Sequence, residues 1–204
     1  MNLEKIFNDL LLKIGFETAA INQCWQELEK AYSSKSRHYH NLLHLEEMLE
    51  LFENYKNELQ NPNEILFALF YHDFVYEPTR KDNELKSATY AVGILKTNDT
   101  LDKQLIFDLI TATQLHQYNP NQDINWLIDF DLKILSKDWE DYKIYCQQIR
   151  KEYKIYPDFL YNPGRKKALQ HFLKSEFIFQ TDLFREKYEA KARENIQREI
   201  DELL

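Results

Sequence analysis

Only three of the 204 residues are glycine: Gly15, Gly93 and Gly164. Globular chains ordinarily hold about 7% glycine. Glycine supplies the positive φ angles that tight hairpin turns need, so a turn-rich β architecture is out of reach. The three positions also exclude the GxGxxG and GxxxxGK loops that cradle phosphates.

Helix is what remains, and the apolar spacing agrees. Leu3, Ile6, Phe7, Leu10, Leu11 and Ile14 lie on one face of a first helix. Glu4, Lys5, Asp9 and Lys13 interrupt that stretch, so it does not read as the apolar core of a signal peptide. After Gly15 and Thr18, a second helix carries Ile21, Trp25 and Leu28, and Ser33 to Ser36 form a loop. Asn41 caps a third helix bearing Leu42, Leu45, Leu49 and Phe52. Asn61-Pro62 opens an almost wholly apolar run that ends at His72, which predicts a buried central helix. Asp82 or Asn83 caps the next, and Thr100 begins another. Asn119-Pro120-Asn121 breaks the chain before Trp126-Leu127-Ile128. Two helices follow over 138–155 and 163–174, and a last runs from 182 to the end. Phe177-Ile178-Phe179 reads as a packed connector between them. The expectation is a single all-α domain over 1–204, with N-terminal helices over 1–31, a core over 37–135 and C-terminal helices over 138–204.

Charge and cysteine narrow the function classes. Twenty-six basic against 34 acidic residues give −8, with no basic block, which argues against a nucleic-acid polymer or an anionic membrane as partner. No run approaches the ~18 apolar residues of a membrane span. Cys24 and Cys146 form neither a disulfide framework nor a CxxC knuckle, so a reduced, cytoplasmic protein fits.

The chemistry-bearing residues stand out against that apolar background. His40 and His44 are four apart, on one helical face. His72-Asp73 closes the buried helix, where a polar pair is costly without compensation. Asp129 and Asp131 interrupt a second apolar run. Singly, each has a plainer reading: a surface pair, a chance dipeptide, a cap. Jointly, imidazoles and carboxylates in the order H…HD…D suit one borderline transition-metal ion better than calcium.

Arg37-His38-Tyr39-His40-Asn41-Leu42-Leu43-His44, then His72-Asp73, then Asp131-Leu132 resemble the HD-domain superfamily of metal-dependent phosphohydrolases. More narrowly, the chain is similar to a bacterial group of metal-dependent members of that superfamily. The segments RHYHNLLH, ALFYHDFVYEPTRKDNELKSA, LITATQLH, LIDFDLKIL, IRKEY, PGR and ARENI carry the likeness across 37–196. The resemblance implies an HD-type helical bundle with His44, His72, Asp73 and Asp131 as metal ligands, Asp129 being the alternative to Asp131. The YHNxxH piece is similar to that of cyclic-nucleotide phosphodiesterases, which implies His40 as the proton donor to the leaving group. Asp73 is also a candidate catalytic residue that could bridge to a second ion, for which His116 and Asp129 are candidate ligands, or candidate contacts to phosphate. The plainer reading of His116 is a helix-end pairing with the dipole.

The implied activity is hydrolysis of a phosphate ester or anhydride of a small molecule, plausibly a nucleotide. The cofactor is a divalent ion (Mn, Fe, Ni, Co, Zn or Mg) whose bound water has its pKa lowered to about 7. Arg37, Lys81 and Arg150 are candidate cations for the phosphate, a surface salt bridge being the plainer role of each. Glu84 is placed to accept a hydrogen bond from a ligand imidazole. Arg150, Glu152, Tyr153, Arg165 and Asn195 read as residues that hold helices together rather than touch substrate, and the tyrosines read as core, though Tyr39, Tyr71 or Tyr76 could stack on a base. A homodimer through a terminal helix is open. The alternative function is a module that keeps the metal to sense or hold a nucleotide without turnover.

Overall fold

The computed structural model describes residues 2–96 and 100–203, and among these every regular element is helical. The helices are α1 (Leu3–Lys13), α2 (Thr18–Tyr32), α3 (Leu42–Tyr55), α4 (Pro62–Tyr71), α5 (Asn83–Ile94), α6 (Lys103–Ala112), α7 (Gln122–Leu132), α8 (Trp139–Glu152), α9 (Asp158–Lys174) and α10 (Asp182–Glu202). None of the described helices is long and apolar enough to cross a membrane. The expected end of α10 at residue 204 lies outside the described residues.

Two compact units emerge, Met1–Leu115 and His116–Leu204. In the first, α4 is the hub, packing against α1, α3, α5 and α6. The reason lies in its sequence, because Ile65, Phe67, Ala68, Leu69, Phe70 and Tyr71 are all buried and leave no polar face to expose. Phe7 of α1 meets Phe70 edge-on at 5.1 Å and lies tilted against Trp25 of α2 at 5.7 Å. Gly15, at φ +100°, ends α1 in a left-handed turn, with Phe16 N donating back to Leu11 O. In the second unit a 3-10 turn over Lys133–Ser136 packs on α7, α8 and α10. Trp126, Phe130 and Phe184 fill its core, Trp126 meeting Phe184 edge-on at 5.7 Å.

Several helix starts differ from expectation for local reasons. Helix α6 begins after Asp102 rather than at Thr100, because the Asp102 carboxylate accepts from the N–H groups of Gln104 and Leu105. Asp82 precedes α5 but gives its carboxylate to Arg80. Asn83 does not cap either: its amide accepts from Glu77 N and donates to Glu77 O, closing the loop before the helix. Helix α9 starts at Asp158, five residues before Pro163, so that proline lies inside it. Phe177-Ile178-Phe179 is the expected connector, with Ile178 and Phe179 buried.

Candidate metal centre

In the first unit the interesting residues collect at the carboxyl end of α4 and the start of α3. Asn41 caps α3, its side chain accepting from Leu43 N and donating to His38 O. This sets His44 in the first turn of α3, 3% exposed. His72 follows the last residue of α4 and is 1% exposed. His72 Nδ1 lies 2.8 Å from Leu69 O. A carbonyl only accepts, so Nδ1 carries the proton, and in the neutral ring the Nε2 lone pair is the outward group. Nε2 sits 3.2 Å from His44 Nε2 and 3.1 Å from Asp73 Oδ2. His44 Nε2 and Asp73 Oδ2 thus each approach the same nitrogen of His72, with both imidazoles buried. The donor set fits a divalent ion of borderline character, which binds deprotonated nitrogen and carboxylate oxygen.

The loop that carries Asp73 is fastened on every side. Tyr32 Oη accepts from Asp73 N, at 3.2 Å. Ser87 exchanges hydrogen bonds with Val75 N and O, and Asn83 does the same with Glu77. Arg37 is 8% exposed, and its Nη1 donates to Asp73 O at 2.7 Å and His40 O at 3.3 Å, while Nη2 donates to Phe74 O at 2.8 Å. Arg37 is therefore not the open phosphate-binding cation expected from sequence. Its charge serves the carbonyls beyond the end of α4, where the helix dipole is negative. His40 stacks on Tyr76, with centroids 4.1 Å apart, and meets Tyr39 edge-on at 4.9 Å. Tyr76 thus lies against an imidazole. Lys81 is exposed and Glu84 half-buried, near the start of α5.

In the second unit, Asp131 Oδ2 lies 3.0 Å from His116 Nε2. His116 is the only described non-glycine residue with a positive φ, at 52°. Its carbonyl accepts from Gln180 Nε2. Asp129, two positions before Asp131, points elsewhere: Oδ1 accepts from Gln180 N at 2.6 Å, and Oδ2 accepts from Thr181 N and Oγ1. Burial pushes its carboxyl up, to about 7, against the opposing pull of these bonds and of Arg185. Its oxygens are committed to the connector before α10, so the structure gives Asp129 an anchoring role in place of the expected metal or phosphate contact. The difference follows from helix geometry, since i and i+2 lie on different faces.

Arg150 is also committed. It donates to Asp158, Tyr153 O and Tyr156 O, tying the turn between α8 and α9, which is the helix-holding role weighed against a phosphate contact in the sequence. Sequence reasoning missed Tyr32 and the Leu69 carbonyl, because neither a helix-end tyrosine nor a backbone oxygen leaves a motif. It also missed a buried network in which Arg165 Nε and Nη2 donate to Glu199, and Tyr142 Oη donates to Glu199 Oε2. No protein-family model matches the chain, and no curated protein or solved structure matches it.

Proposed function

We propose that the protein is a metal-dependent phosphohydrolase of HD type, acting on a small phosphorylated molecule such as a nucleotide, with His44, His72 and Asp73 among the ligands of one divalent cation and Asp131 the further ligand that the motif order implies. The observation that carries this reading is the fixed tautomer of His72, whose Nε2 faces His44 Nε2 and the Asp73 carboxylate in a buried site. The order H…HD…D supports the inclusion of Asp131. When bound, a divalent ion supplies Lewis acidity toward a phosphoryl oxygen and acidifies water to a pKa near 7.

The remaining steps belong to the chain's own residues. His72, locked by Leu69 O, holds its ligand nitrogen without rotating. His40 hands a proton to the leaving oxygen, a role that suits a side chain whose ordinary pKa is near 6.5. The buried His44 and His72 limit bulk water on their side of the site.

Metal content by mass spectrometry on gently purified protein, beside Asp73→Ala, tests the first step. About one or two ions per chain in the wild type, lost in the variant with helicity retained, supports the centre. A panel of phosphomonoesters, nucleotides and cyclic nucleotides with added manganese, nickel or magnesium then tests turnover. Protein that holds no ion, and whose melting temperature no added metal moves, overturns the reading. Tight metal and nucleotide binding without hydrolysis on any substrate favours a sensor instead.

A further inference from the structure

We infer that Tyr32, Arg37 and Tyr76 are positioning residues, a stacked strut that fixes the His40 imidazole relative to the His72-Asp73 pair. The inference rests on the reading of His40 as proton donor and of Asp73 as ligand.

Both peptide groups of Asp73 are held by the strut. Tyr32 Oη accepts from its N–H, and Arg37 Nη1 donates to its carbonyl at 2.7 Å. The same Nη1 reaches the carbonyl of His40, so one planar group joins the two segments that carry the acid and the carboxylate. Nη2 adds Phe74 O at 2.8 Å. The guanidinium carbon lies 4.8 Å from the Tyr32 ring centre and 5.5 Å from that of Tyr76. Tyr76 then stacks on the His40 ring at 4.1 Å and 27° between planes. The chain of contacts runs without a gap from the Asp73 amide, through Tyr32, Arg37 and Tyr76, to the imidazole.

Each part has a physical reason to be rigid. Arginine's fork is planar and stays charged, so it holds several carbonyls in one geometry, which a lysine ammonium on a flexible stem does not. Cation–π contact and the helix dipole both favour the charge at this place. Stacking fixes the plane of a ring that would otherwise turn about its Cβ–Cγ bond. A proton donor gains from such fixing, because a misplacement of about 1 Å can cost on the order of 100-fold in rate.

The test separates the strut from catalysis. In the first arm, the His ring protons of the isotope-labelled full chain are assigned by NMR without added metal. Stacking on Tyr76 should shift those of His40 upfield. Tyr76→Leu and Arg37→Met should move them toward unstacked positions, and Tyr76→Phe should leave them in place. Unmoved His40 resonances in folded Tyr76→Leu or Arg37→Met overturn the strut, whether or not the protein is an enzyme. Arg37→Lys, which keeps the charge and loses the fork, serves as the second variant where a larger change prevents folding, and it should also shift His40.

The second arm compares phenyl phosphate with p-nitrophenyl phosphate in the presence of manganese. A poor leaving group needs the acid, and a good one needs it far less. Arg37→Met and Tyr76→Leu should lose roughly tenfold more rate on phenyl phosphate than on p-nitrophenyl phosphate, in the manner of His40→Ala. Equal losses on both esters indicate general loosening of the fold and overturn the positioning role. Wild-type protein that cleaves neither ester counts against the phosphohydrolase reading, and the first arm still decides the strut.

Discussion

Two buried clusters of ionisable groups, one in each unit, solve the burial problem in opposite ways. In the unit His116–Leu204, Arg165 meets Glu199 through two N–H···O bonds of 2.7 and 3.0 Å, and Tyr142 supplies a third donor to the carboxylate at 2.5 Å. A fork of donors faces a fork of acceptors, so the set is balanced by its own members. Burial and the neighbouring carboxylate push the Tyr142 hydroxyl far up, keeping it a donor. In the unit Met1–Leu115, His44 Nε2 and Asp73 Oδ2 each lie within hydrogen-bond distance of His72 Nε2, and no arginine or lysine fork faces the carboxylate in these contacts. The nearby cation, Arg37, gives its N–H groups to carbonyls. The lesson is that a buried cation and carboxylate facing each other read as architecture, and buried imidazoles beside a carboxylate read as a candidate cation site.

The largest expected effect breaks the balanced cluster. Arg165→Met strands the Glu199 carboxylate and should cost about 3–5 kcal/mol. Urea unfolding followed by tryptophan fluorescence, with Trp126 and Trp139 reporting on this unit and Trp25 on the other, would read that loss. A cost under about 1 kcal/mol would show that Glu199 finds water and that the two clusters are alike after all.

The next prediction works on the other cluster and sharpens the contrast. Manganese or nickel at about 100 times its dissociation constant should stabilise the wild type by about 2.7 kcal/mol. Asp73→Ala should abolish that gain in thermal melts and leave the metal-free melting temperature within a few degrees. A metal response retained in full would remove Asp73 from the centre.

A smaller effect comes from acid. Burial alone would raise the Glu199 carboxyl, but Arg165 and the hydrogen bonds around it hold it below the ordinary 4.5. A depressed carboxylate contributes stability that is present above its unfolded value and lost as the pH falls below about 4.5. The acid limb of the stability curve should therefore flatten in Glu199→Gln, which would be seen by circular dichroism across pH 2 to 6. An unchanged limb would assign acid sensitivity to other carboxylates. Smallest is Asn41→Ala, which removes the cap of α3 and should cost about 1 kcal/mol, with faster amide exchange at Leu43 and little change elsewhere.

Much of this was legible in the chain, and the exceptions share a cause. The apolar run from Asn61-Pro62 to His72 identified α4 as buried, and Asn41 as the cap of α3, because both are local patterns of spacing. His44 and His72-Asp73 were singled out the same way, and the structure sets both the His44 ring and the Asp73 carboxylate against His72 Nε2. Thr100 against Asp102 shows the limit of such reading, since several polar residues in a row can each cap and only one does. Arg37 shows another limit: sequence reveals a cation but not the three carbonyls it meets.

By itself, then, the sequence determined helix. Three glycines, apolar residues at helical intervals and a handful of caps are short-range properties, and short-range physics sets them. Tertiary structure decided the assignments that depend on what lies across a gap. Asp129 and Asp131 are two residues apart, and only the packing of the connector at Gln180 and Thr181 turned Asp129 into an anchor and left Asp131 beside His116. Arg165 and Glu199 are 34 positions apart, and neither betrays the other in a linear reading. Burial and pairing over such separations are properties of the folded surface, because desolvation and hydrogen bonding act through space and not along the chain.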